Sequence, residues 1–147
     1  MRSILVRVPM TVVLYAWAFP ATLVGLAVAL FARAGGASVA VAEGVIEVAG
    51  GRLGEAVSRF RHPFCFNAIT FGHVIFAVDP RLLAECRAHE RVHVRQYERW
   101  GVLFFVLYAG SSIFEALRGG DPYWDNHFER QARVHAAHPH LQPEEHS

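Results

Sequence analysis

Residues 10–31 carry no charged side chain, whereas the remainder of the chain alternates short apolar runs with polar breaks. The uncharged run is long enough to cross the ~30 Å hydrocarbon core of a bilayer as a helix. Arg2 and Arg7 precede it and Arg33 follows it. Pro20 falls mid-run, and its missing N–H predicts a kink, or a split into two half-segments lying in the membrane interface. The competing expectation is a cleaved signal peptide, because Ala32-Arg33-Ala34 offers a small-x-small pattern. The run exceeds the roughly 7–15 apolar residues of a signal core, which favours a retained single anchor. The leading arginines favour a cytoplasmic N-terminus and an extracytoplasmic remainder, and Arg52, Arg59 and Arg61 act against that orientation.

After Gly35-Gly36 the periodicity changes. Residues 38–42 and 45–49 are Val-rich runs around Glu43-Gly44, the pattern of a β-hairpin. Leu53, Val57 and Phe60 at helical spacing predict a short helix over 54–60, stopped before Pro63. Residues 66–71 and 73–78 are two further strands around Gly72, with His73 as a strand residue. Asp79-Pro80 supplies an acidic N-cap followed by proline at the first helical position, and the helix it opens runs to Gly101. The apolar stretch 102–114 is too short to span a bilayer and reads as a helix packed on its predecessor, with a membrane-dipping segment as the alternative. Gly119-Gly120 ends it. Asp121-Pro122 then repeats the start signal, and a final helix runs from Tyr123 or Asp125 to about Ala137. The tail from His138, with Pro139 and Pro143, is expected to be disordered.

This pattern predicts an α+β fold with a short antiparallel sheet. Three segments follow: a membrane helix over 1–34, a folded domain over 35–137 and a tail over 138–147. At 147 residues there is room for one domain. The hydrophobic content of 53% is high for a soluble domain, and much of the excess lies in the first segment. A net charge of +1 with scattered arginines argues against nucleic acid as a partner. Cys65 and Cys86 lack the spacing of a metal knuckle and are compatible with one disulfide or two thiols.

The chemistry lies in His89-Glu90-Arg91-Val92-His93. Positions four apart share one helix face, so His89 and His93 can offer two imidazole nitrogens to one ion. Glu90 points about 100° away, where it can take a proton from water at the metal without ligating the metal itself. Two histidines and a neighbouring glutamate in this HExxH order suit Zn2+. The bland alternative is an amphipathic helix with two incidental histidines. A catalytic site needs a third protein ligand, and positions 96 and 99 are Gln and Arg. Glu115 and Glu129 compete for that role. Glu129 is favoured because its helix has its own start signal, whereas Glu115 can simply mark the polar end of an apolar helix. Tyr123, just ahead of the Glu129 helix, and His127, in its first turn, are candidate donors to an oxyanion. Gln96 shares the ligand face and is placed to orient a ligand. Tail histidines such as His138 and His140 read as solvated.

HERVHVRQY followed by NHFERQA resembles the minimal gluzincins, small HExxH zinc peptidases of the zincin clan. The resemblance is strongest over residues 84–133. It implies a zincin-like domain with His89, His93 and Glu129 as zinc ligands and Glu90 as general base. It also implies a peptide or protein substrate held along a strand edge within 66–78. The segment around Trp17-Ala18-Phe19-Pro20 resembles bacterial membrane-associated HExxH proteins. The expected function is therefore a membrane-anchored zinc metallopeptidase. Two other readings stand beside it: a zinc-binding pseudoenzyme or assembly factor, and a membrane protein without metal.

Overall fold

The computed structural model describes residues 2–59 and 67–137, with the side chains of residues 2–11 outside that description. In chain order the elements are α1 (Arg2–Ala34), β1 (Ser38–Ala42), β2 (Val45–Ala49), α2 (Gly51–Arg59), β3 (Ala68–Phe71), β4 (Val74–Ala77), α3 (Pro80–Trp100), α4 (Leu103–Leu117) and α5 (His127–Ala137). The class is α+β. The strands form one sheet in the order β1-β2-β4-β3. The sheet is mixed rather than antiparallel: β1/β2 and β3/β4 are antiparallel pairs, while β2 and β4 run parallel with Ile46 opposite Val74. The reason is topological. Two hairpins lie side by side, and the chain between them passes through α2, so their inner strands point the same way. Glu43 and Gly44 both adopt positive φ, 50° and 77°, which matches the two-residue turn that suits strand twist.

Successive strand residues point to opposite faces, and here both faces are covered. Val45, Ile75 and Ala77 pack with Leu83 and Val94 of α3, while Val48, Val74 and Phe76 pack with Ala29 and Ala32 of α1. Val74 and Ile75 are fully buried, and each contributes about 1.5–3 kcal/mol of burial free energy.

α1 is thus one layer of the domain, and position 34 is no packing boundary. Small residues line its inner face: Ala18, Ala21, Gly25, Ala29 and Ala32 are all buried. A Cβ at Gly25 would stand 2.8 Å from Val74 Cβ, so close packing there requires glycine. The helix is unbroken through Pro20, so of the kink or split expected there the split does not occur. Proline removes one backbone bond, but Ala18 and Ala21 on either side are held against Tyr97, Phe104 and Phe128.

α3 starts as expected. Asp79 Oδ1 accepts from the N–H groups of Arg81 (2.8 Å) and Leu82 (2.9 Å), and Gly101 ends the helix at φ 56°. Its rotation over the sheet is fixed by a bidentate pair, Arg87 Nε and Nη2 at 2.8 and 3.0 Å from the carboxylate of buried Glu47. α3 and α4 meet at a bend of 115°. α5 begins later than Tyr123 or Asp125. Asp121 Oδ1 instead caps a separate turn through Tyr123 N and Trp124 N, and Asn126 Oδ1 caps the helix through Phe128 N at 2.9 Å. His73 lies in the β3–β4 turn rather than within a strand. Cys86 is a half-buried free thiol, while Cys65, Phe66 and the tail over 138–147 fall outside the described residues.

Candidate metal centre

The i,i+4 spacing on α3 brings His89 and His93 together with their Nε2 atoms 3.1 Å apart. α5 adds Glu129, whose Oε2 is 3.0 Å from His89 Nε2 and whose Oε1 is 3.3 Å from His93 Nε2. The three ligand atoms lie within 4.8 Å of one another. Glu115 is elsewhere, its Oε2 against the Gly120 turn.

The tautomer of His93 follows from its neighbours. Gln96 Nε2 donates to Phe128 O (3.2 Å) and to Gln131 Oε1 (2.8 Å), so Gln96 Oε1 is the atom 2.7 Å from His93 Nδ1. That Nδ1 carries the hydrogen, and the lone pair on Nε2 points at His89 and Glu129. Glu129 is almost fully buried, and its Oε2 has no aligned hydrogen bond despite the nearby imidazole. Converging lone pairs on two nitrogens and one carboxylate repel each other unless a cation lies between them. The cluster can hold a metal ion, and two histidines with one glutamate are a donor set that zinc accepts.

α4 positions the carboxylate. Asn126 is completely buried, and its Nδ2 donates to Tyr108 O (3.0 Å) and Ser112 Oγ (2.7 Å). His127 N donates to Ser111 Oγ at 3.0 Å. These bonds clasp the first turn of α5 against the inner face of α4, and Tyr108 Oη donates to Glu129 Oε1 at 2.7 Å. Glu90 stands beside the cluster on α3, where Thr70 Oγ1 of β3 donates to its Oε2 at 2.7 Å.

The two carboxylates are tuned in opposite directions. Burial pushes the Glu90 carboxyl above its usual range, opposed by His93 and the Thr70 bond. Burial also acts to raise Glu129, but the imidazoles of His89 and His93 beside it, with the Tyr108 hydroxyl, outweigh burial and hold that carboxyl far below the carboxylate range. Burial acts to lower His93, and Glu129 beside it reverses the direction to a net rise. One carboxylate is thus a fixed anion and the other a group able to carry a proton.

A cavity of about 190 Å³ opens beside these groups, lined by Thr70, Glu90, His93, Tyr108, Tyr123 and Glu129 among others. Its side wall is Ala68–Phe71, the edge strand β3. Tyr123 is therefore at the cavity, with its hydroxyl hydrogen-bonded to Glu129. His127 is not: it is exposed at the start of α5, because Phe128 and Glu129 occupy the buried side of that turn. Tyr108, Thr70 and Asn126 were missing from the sequence-level set. Asn126 is detectable as an N-cap and Tyr108 as one of three hydroxyls, with Ser111 and Ser112, in an apolar run, whereas nothing local marks Thr70. Compared with known proteins, the chain matches no family model, no curated protein and no solved structure.

Proposed function

We propose that the chain is a zinc-dependent hydrolase of peptide bonds, associated with a membrane through its N-terminal helix. One observation carries this reading. A carboxylate that is not a ligand, Glu90, is held by Thr70 in the same cavity as the converging His89, His93 and Glu129. A metal site that only stabilised the fold would have no use for a buried base at that position.

His89, His93 and Glu129 would hold the ion. Zinc, when bound, supplies Lewis-acid polarisation of a carbonyl and a water acidified toward neutral pH. Glu90 takes the proton released by the attacking water and returns it to the leaving amine, a role matched to a carboxyl whose pKa is raised. Tyr108 keeps Glu129 oriented, and the Tyr123 hydroxyl on the cavity wall would turn from Glu129 to serve as donor to the developing oxyanion. The edge strand β3 offers main-chain groups to an extended peptide, a mode of binding that tolerates varied side chains.

The test is Glu90→Gln. Zinc content should stay at the parent level while cleavage of an extended peptide falls about 10²–10⁴-fold. Full activity in that variant would remove the hydrolase reading. Zinc without hydrolysis in the parent itself would leave a zinc-binding pseudoenzyme.

A further inference from the structure

α1 and α4 are both turned inside out. On α1 the inner face is made of alanine and glycine, while Trp17, Phe19, Leu23, Val24, Leu30 and Phe31 point outward. On α4 the polar side chains Tyr108, Ser111 and Ser112 face the domain, and Val106 (68% exposed), Ile113 (60%), Phe114 (56%) and Leu117 (82%) face away. A surface helix in water has the opposite arrangement. The two helices meet where Gly101, at the α3–α4 corner, packs on Trp17. Phe71 then bridges them, lying against Gly25 on one side and 6.1 Å from Phe105 on the other. Two tryptophans carry arginines: Arg99 lies over Trp100, next to that corner, at 5.5 Å, and Arg133 over Trp124, between α4 and α5, at 4.3 Å. Such side chains suit the level of lipid headgroups.

Among the described residues, α1 is the single unbent helix long and apolar enough to cross a bilayer, over Val12–Ala34. Its packing argues against that orientation. The sheet, α3 and the β1–β2 hairpin lie along it, and the hairpin tip reaches back to Tyr15, whose hydroxyl donates to Gly44 O at 3.3 Å. Standing α1 across a bilayer would carry the exposed edge of β1 and the Arg91–Glu43 ion pair into hydrocarbon, where open strand edges are not tolerated.

We infer that the outer faces of α1 and α4 form one docking surface that lies flat on a single lipid leaflet, with the mouth of the metal-site cavity at its border. Ile69 and Phe105 line that cavity and are each 43% exposed, so the cavity wall continues into the docking surface. A peptide lying in the membrane interface then reaches the site without leaving it. That last step rests on the hydrolase reading, whereas the docking surface is read by measurements that need no activity.

The experiment uses the full chain with phosphatidylcholine vesicles. Val106→Lys and Ile113→Lys place a charge on α4 where the fold leaves space, and each should lower vesicle partition about tenfold while zinc content is retained. Ile69→Lys should do the same if the cavity mouth faces lipid. Glu85→Lys, on the exposed side of α3, is the control and should change nothing. Tags at both ends should both be digested by protease added outside the vesicles. Unchanged partition of the two α4 variants, or protection of one end, overturns the surface. A soluble dimer without lipid that the same substitutions make monomeric also overturns it, because a second copy would then cover the face. An effect at 106 and 113 without one at 69 removes the cavity mouth from the surface.

Discussion

His73 and His93 are both buried, both hydrogen-bonded and both within reach of a glutamate, yet their surroundings differ in kind. His73 has a complementary partner for every polar atom. Its Nδ1 is 3.2 Å from Thr22 Oγ1, its Nε2 is 3.1 Å from Glu98 Oε1, and its backbone N–H donates to Thr22 Oγ1 at 3.1 Å. The ring stacks on Tyr15 at 4.0 Å. This cluster is complete in itself, and it ties α1, the β3–β4 turn and α3 together. His93 meets a second imidazole nitrogen and a carboxylate oxygen, with its only ring hydrogen committed to Gln96. Burial and distance are nearly the same in the two places. What separates a structural lock from a candidate metal centre is whether donors and acceptors already balance.

The largest effect should come from Glu129→Ala. It removes one of three ligands, so zinc after metal-replete purification should fall from about one equivalent to less than half, with a lower Tm because binding is coupled to folding. Lowering the pH through the histidine range should release the metal from the parent too, because protons compete for the ligand nitrogens. His73→Phe is the counterpart and should keep its zinc. If metal analysis shows His73→Phe losing zinc as Glu129→Ala does, the two clusters are not distinct.

Gln96→Leu sharpens the comparison from the side of orientation. His93 keeps its place on α3 but loses the group that fixes its tautomer, and zinc affinity should drop about 10–100-fold in a competition titration. An unchanged affinity would mean that helix geometry alone directs the nitrogen.

His73→Phe should show its effect in stability. Thr22 and Glu98 lose their partner, which costs about 1–3 kcal/mol, and Tm should fall by a few degrees on calorimetry at constant zinc occupancy. No shift would mean that the α1 interface rests on its alanines alone. Glu115→Ala should be the smallest change, within about 0.5 kcal/mol and without loss of zinc. Zinc loss there would move the third ligand from α5 to α4.

The readings that survived were those encoded over a few consecutive residues. Asp79-Pro80 and Gly101 bracket α3 because capping is a matter of neighbouring backbone groups. Glu43-Gly44 marks its hairpin because two positive φ angles suit those residue types. Pro20 does not split α1, because a helix-breaking preference of about 3 kcal/mol is opposed by the domain packed on either side of it. Asp121-Pro122 misled because the same cap chemistry closes a turn as well as it opens a helix.

Spacing along the chain was enough to put two imidazoles on one face of α3 and a base one step round from them, since helical geometry follows from local bonds. The same local logic nominated Glu129 by its place on a separately started helix. It could not bring that helix to the site, turn the Gln96 amide, or choose Thr70 as the partner of Glu90, because those contacts join residues 20 or more apart in sequence. Nor could it show that an uncharged N-terminal helix presents its alanines to a sheet and its large side chains outward. Hydropathy sums over a segment, whereas which face is covered depends on what packs against it, and that is settled only when the chain has folded.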